Sequence, residues 1–240
     1  MMKLRLIVIL SMLFIPAQSV FGQGEYLQEG QSGYAVTGSV SLGSYASALG
    51  LSVGYSHRAL VDFSVGLARV SPDDADDLEG DLTAGALILG SAVHLARQAD
   101  DGPPVSLSVQ FGLQKDYWST EMPLHPESHA LWLGSVFTRQ TQLGQSQRAH
   151  NYLGLRWVQN SVSNQYSSAT GVDNSQSRLL ITLGSAVALV TGEVDKRRVS
   201  YASSQVILDP SLTFDTRDGT REFALNISLL IGQAPPYDRW

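Results

Sequence analysis

Between Val105 and Gln114 the chain reads VSLSVQFGLQ, and this stretch decides the fold. Val105, Leu107, Val109, Phe111 and Leu113 share one face of an extended strand, while Ser106, Ser108, Gln110, Gly112 and Gln114 share the other. A period of two is the mark of β structure, because successive side chains of a strand point to opposite sides. The second face is small and mildly polar, with no ionised group on it. The outer face of a water-soluble sandwich carries Lys, Glu and Arg instead.

The same alternation returns along the chain. In GYAVTGSVSL, over 33–42, Tyr34, Val36, Val40 and Leu42 oppose Ala35, Thr37, Ser39 and Ser41. It recurs over 48–56, 60–70 and 222–231, and Asp62 is nearly the only charge on the polar faces of these clean strands. Segments 82–97, 130–139, 150–159, 179–190 and 198–208 complete a set of ten, with eight and twelve as the alternatives. No helical stripe interrupts the series, and connectors such as Asp100-Asp101-Gly102-Pro103-Pro104 and Arg217-Asp218-Gly219 turn the chain. The fold expected is all-β: a closed, antiparallel, up-and-down transmembrane β-barrel. Its aliphatic side faces lipid, and small side chains and water fill the lumen. Closure follows from the solvent, since no backbone group in hydrocarbon can be left unpaired. The alternative is a soluble exported β-sandwich, in which the aliphatic faces pack on each other.

Composition agrees. Of 240 residues 43% are hydrophobic and only 16% charged, against about 25% in an ordinary soluble domain. A net charge of −6 excludes a basic nucleic-acid binder. The absence of cysteine excludes disulfides, zinc–thiolate sites and thiol nucleophiles, and no cofactor is implied. Residues 1–22 begin with Lys3 and Arg5, continue through an apolar core from Leu6 to Ile15, and end in small residues at Ala17, Ser19 and Gly22. That is the layout of a secretory signal peptide, with cleavage between 19 and 22, and the core is about half the length of a membrane-crossing helix. Residues 23–32 then form a periplasmic lead, 33–231 the barrel and 232–240 a tail.

The signal peptide and strands such as ALGLSVGYSH, VSLSVQFGLQ and EFALNISLLIG resemble the small, porin-like outer-membrane β-barrel families of Gram-negative bacteria. The resemblance covers nearly all of Gly33 to Ile231 and lies in the pattern rather than in a signature motif. It implies the bacterial outer membrane as the location, with outer-membrane lipid, lipopolysaccharide and the barrel-assembly machinery as partners. One departure is the break at Gln233-Ala234-Pro235-Pro236, ahead of the terminal Trp240. Two further patterns fit. The longest odd-numbered connections, at 71–81, 118–129 and 160–178, suit extracellular loops. Tyr34, Tyr45, Tyr55, Tyr117, Trp118, Trp132, Tyr152, Trp157 and Tyr201 fall near expected strand ends, where interfacial girdles sit.

Candidate functional residues are few. Asp62, Ser52, Ser64, Ser106, Ser108, Gln110 and Asn226 are expected to line the lumen. A carboxylate at position 62 must pair with a base or stay hydrated, and Arg58, Arg69, Arg156 and Arg178 lie near strand ends as possible partners. Gly50-Leu51-Ser52-Val53-Gly54 has the spacing of a hydrolase elbow, but it lies within a strand, where lumen lining is the expected role. His125, Glu127 and His129 in PLHPESH could act as acid and base at an outer rim. Asp73, Asp74, Asp76, Asp77, Glu79 and Asp81 could hold a cation weakly, or form a solvated loop tip. The leading expectation is a non-enzymatic barrel that binds or passes small solutes through a narrow lumen. The alternatives are a non-transporting platform whose loops contact polysaccharide or cells, and an outer-rim hydrolase.

Overall fold

A computed structural model of the chain describes residues 23–27, 29–44, 46–72, 83–99, 102–119, 127–144, 147–163, 175–192 and 203–233. Ten antiparallel strands form one closed sheet: β1 (Ser32–Gly43), β2 (Ala46–His57), β3 (Val61–Pro72), β4 (Thr83–Ala96), β5 (Ser106–Ser119), β6 (Glu127–Gln142), β7 (Gln147–Ser163), β8 (Ser175–Gly192), β9 (Ser203–Asp215) and β10 (Arg221–Gln233). Each strand pairs with its neighbours in sequence, and β1 pairs with β10 from Ser32↔Gln233 to Gly43↔Glu222. That last ladder closes the barrel and leaves no free edge.

The sidedness is the reverse of a soluble protein. Leu49, Leu51 and Val53 of β2, Phe63, Val65 and Leu67 of β3, Leu131 and Leu133 of β6, and Ile227, Leu229 and Ile231 of β10 all point outward, with Leu67 64% exposed. Thr37, Ser41, Ser56, Ser108, Gln114, Asn226 and Ser228 point inward and are buried. Such an inversion is stable only when hydrocarbon covers the outside. A β-sandwich is excluded, because the aliphatic faces meet no second protein layer and the sheet closes on itself. A closed barrel with an apolar belt and a polar interior is an outer-membrane protein.

Six of the nine tyrosines and tryptophans expected near strand ends divide between two positions. Tyr34, Tyr55, Tyr117 and Trp157 are exposed or half-buried on the outside, and the rings of Tyr34 and Tyr55 lie 4.8 Å apart. Trp132 and Tyr152, expected in the girdle, instead point inward and are buried. Both have the inward parity of their strands, and the lumen of a ten-strand barrel is wide enough to need large fillers. Tyr45 and Tyr201 lie outside the described residues.

Six strands, the fifth of them expected over 105–117, begin and end within two residues of the expected positions, while β6, β7 and β8 run longer at both ends. The ninth strand, expected over 198–208, runs on to Asp215; its described part is Ser203–Asp215, and 198–202 lie outside the described residues. Pro210 is the reason for the early expected end: a residue without an N–H reads as a strand end, yet here it sits mid-strand opposite Leu225 of β10. The ladder to β8 skips it, running from Gly184↔Ser211 to Val187↔Leu208. At the distal end, opposite the chain termini, β6, β7 and β8 rise past the apolar belt, where His129, Gln159, Ser161, Ser175 and Ser177 have replaced Leu131, Trp157 and Leu179 on the outer face.

Candidate functional site

Residues 23–32 were expected as a lead outside the barrel, but Gln23–Tyr26 forms a short 3-10 turn folded into the terminal end of the lumen. Gly24, Glu25, Tyr26 and Leu27 are all buried there. The turn is closed by the Leu27 N–H, which donates to the Gly24 carbonyl at 3.1 Å. Lumen side chains do the holding. The Gly24 N–H donates to both oxygens of Asp62, at 3.2 and 3.0 Å. Arg97, just past β4, donates to the carbonyls of Leu27, at 3.0 Å, and of Gly24. Gln205 of β9 donates to the Tyr26 carbonyl at 2.9 Å, and the Tyr26 ring lies 4.6 Å from that of His150.

At the centre of the contact is His94. Its Nε2 lies 2.8 Å from Asp62 Oδ2, and its Nδ1 lies 3.1 Å from Glu25 Oε1 and 2.8 Å from Ser108 Oγ. The Ser108 hydroxyl donates to Glu25 Oε1 at 2.9 Å. Thus one buried imidazole is clasped between a carboxylate of the barrel wall and a carboxylate of the inserted turn. Two carboxylate-facing nitrogens match two N–H donors, which is the cationic form of the ring. Burial is the largest influence on Glu25 and raises its pKa, but the bond and charge of His94, the Ser108 hydroxyl and Arg97 outweigh it. Glu25 stays below the ordinary glutamate value. Tyr26 is pushed well above the ordinary tyrosine range, first by burial and then by Asp209, Tyr152 and Glu25. Only glycine fits at position 24, since a Cβ there would stand 2.6 Å from His94 Nε2.

Asp62, His94 and Ser108 superficially form an acid–base–nucleophile row. A catalytic serine must give its proton to the imidazole, but here Ser108 gives its proton to Glu25 and both imidazole nitrogens face carboxylates. The row is a clamp.

The remaining lumen is crowded. Tyr152 donates to Asp209 Oδ1 at 2.7 Å, and Asn226 donates to Asp209 Oδ2 at 3.2 Å. Thr37 and Ser228 share a 2.7 Å hydrogen bond. Toward the distal end Gln114 and Ser128 both donate to Asp116, and Arg178 pairs with Asp215 at 3.3 Å. Among the described residues the voids include a mid-lumen cavity of about 50 Å³ and two of about 20 and 10 Å³.

The residues singled out from sequence fall as follows. Asp62, Ser106, Ser108, Gln110 and Asn226 are buried on the inner face, and Ser52 and Ser64 line the mid-lumen cavity. The partner of Asp62 is none of the four arginines considered. Arg58 is exposed in the 58–60 turn, Arg69 points outward, Arg156 lines the same mid-lumen cavity as Asp62 without forming an ion pair with it, and Arg178 pairs with Asp215. The partners of Asp62 are His94 and the Gly24 N–H, which sequence reasoning missed. The available signal for His94 was its parity with Ala84, Ala86 and Ala92, the inward residues of β4. For Glu25 the sequence held no such signal. The constellation at His125, Glu127 and His129 is altered, because 127 and 129 belong to β6 rather than to a loop, and His129 is exposed. His125 and the acidic run from Asp73 to Asp81 lie outside the described residues.

No family model matches the chain, and no curated protein is recognisably similar to it in sequence. Among solved structures it is similar to the beta domain of the Bordetella autotransporter BrkA, with 13% identity and a TM-score of 0.46 over 85% of this chain and 99% of that one. It is also similar to the translocator domain of the autotransporter NalP from Neisseria meningitidis, with 10% identity and a TM-score of 0.43 over 83% and 88% of the two chains. A third is Ail, the attachment invasion locus protein of Yersinia pestis, with 10% identity and a TM-score of 0.35 over 86% and 100%. Likeness at this level carries nothing about activity.

Proposed function

We propose that the protein is a closed outer-membrane barrel that serves as a non-enzymatic platform, presenting its distal strand ends and loops to the cell exterior. The observation that carries this reading is the lumen: the 23–27 turn is clamped into the terminal end, and Trp132, Tyr152, Asp209 and Asn226 fill the middle around a cavity of about 50 Å³. That cavity has room for a few waters, and side chains packed this closely among the described residues favour a barrel that does not conduct. The rise of β6, β7 and β8 past the belt supplies the raised wall on which 120–126 and 164–174 are carried. Such a surface suits contact with polysaccharide or with another cell.

Planar-bilayer recording of the refolded barrel tests the reading. Silence over long recordings is the expected result, and steady conductance of the intact protein overturns it.

One observation favours a second reading, that of a gated narrow passage. The turn is held by side chains and not by a strand ladder, so it could leave without unpairing the sheet. Rare openings that become frequent in His94→Ala would select gating over the platform.

A further inference from the structure

The inserted turn enters the lumen in one direction. Leu27 lies at the terminal rim, where a Cβ on Gly33 would stand 3.1 Å from its methyl carbons and where Arg97 donates to its carbonyl at 3.0 Å. Gly24 is deeper, on Asp62 and His94. Gln23 reaches furthest. Its amide fills the space over Gly54, which the register sets beside Ala35 and Ser64, two residues farther along β3 than Asp62. It also lines two lumen cavities, one with Ser52 and Arg156 and the other with Asp209 and Ser228. The N-terminal side of the turn therefore points into the middle of the barrel.

What precedes Gln23 in the sequence does not suit that place. The cavity ahead of it, of about 50 Å³, is walled by Thr37, Ser52, Ser64, Asp62 and Gln110, whereas residues 1–22 bring an apolar core from Leu6 to Ile15. A cut after Ser19 would still leave Val20, Phe21 and Gly22, a length that reaches up to about 10 Å and carries a phenyl ring among polar groups that need hydrogen bonds. A cut after Gly22 leaves nothing. Gly22 is also the small residue that such a cut requires.

We propose that the Gly22–Gln23 bond is the processing site of the exported chain, and that Gln23, as the new N-terminus, is the tip of the lumen plug. The clamp of Asp62, His94 and Arg97 on the turn then closes only after a signal peptidase has removed what lies ahead of it. Export processing and sealing of the terminal mouth become one ordered event, whether or not the barrel conducts.

Mass spectrometry of the protein taken from outer membranes tests the site. The chain should begin at Gln23, either with a free amine or as the lactam formed when that amine attacks the side-chain carbonyl and ammonia leaves. A chain that begins at Val20, or that retains residues 1–22, overturns the assignment. Gly22→Phe puts a large residue where the cut needs a small one, so the cut falls back to Ser19 or fails, and residues remain ahead of Gln23 in both cases. In that variant the Gly24 and Leu27 amides should exchange at least about 10-fold faster than in the wild type, with β1 and β10 unchanged. Equal rates would overturn the need for a free end. Should Gly22→Phe not reach the membrane, a refolded chain begun at Val20 gives the same comparison with the processed wild type.

Discussion

Replacing Glu25 by alanine should free the inserted turn while leaving the barrel intact. In the docked state the Glu25 carboxylate stands 3.1 Å from His94 Nδ1 and accepts the Ser108 hydroxyl at 2.9 Å, all three groups being buried. Removing one partner of a buried charge pair costs about 3–5 kcal/mol. The lower figure applies, because Asp62 still faces His94 at 2.8 Å and Arg97 still holds two carbonyls of the turn. A loss of about 3 kcal/mol raises the undocked population roughly 100-fold, at about 1.4 kcal/mol per decade. Hydrogen exchange reads this directly, since the amides of Gly24 and Leu27 are protected only by the docked turn. Their exchange should quicken by about that factor while amides in β1 and β10 keep their wild-type rates. Glu25→Gln, which keeps the shape and removes the charge, should fall between. Unchanged exchange at 24 and 27 would refute the clamp, and equal acceleration throughout the barrel would refute its being local.

Three more outcomes follow from other contacts. Lowering pH should also release the turn: Glu25 titrates below its ordinary 4.5 when docked, so its contribution is complete above that value and fades as pH falls through the lower, docked value. Protection of Gly24 and Leu27 should therefore persist to about pH 4.5 and decline below it, and a flat profile would contradict the pairing with His94. Gly184→Val should unseat Tyr152, whose ring atoms lie 2.1–2.5 Å from where a Cβ would stand. Overpacking of about 1–3 kcal/mol should lower the urea midpoint of the folded barrel in detergent, and an unchanged midpoint counts against the packed lumen. Leu67→Lys, on the outer belt and 64% exposed, should destabilise the barrel by about 2–4 kcal/mol in bilayers if 67 lies near the midplane. A neutral effect in equilibrium refolding into vesicles would show that lipid does not cover this face.

Some of this architecture needed no tertiary information. Alternation in VSLSVQFGLQ and GYAVTGSVSL places each side chain in or out, because a strand's period is two and lipid demands that the aliphatic parity face outward. That logic put Asp62, Ser108, Gln110 and Asn226 in the lumen before any register was known. It also carried ten strands into a closed barrel, since hydrocarbon tolerates no unpaired edge. Pro210 marks where local reading fails: its missing N–H signals a strand end, and only the ladders on either side of it carry β9 through.

Which lumen residues meet is a different matter, because it depends on how ten strands are staggered around the ring. Asp62 and His94 are 32 residues apart, and Glu25 is 69 from His94. No local pattern ties them, and the turn that carries Glu25 lies outside the sheet altogether. The stagger likewise sets Arg156 in a row with Gly134, Gln110, Ala92 and Asp62, and so opens a cavity that inspection of β7 alone would not suggest. Parity is a property of a single strand and can be read one residue at a time, whereas a meeting across the lumen exists only once the sheet has closed.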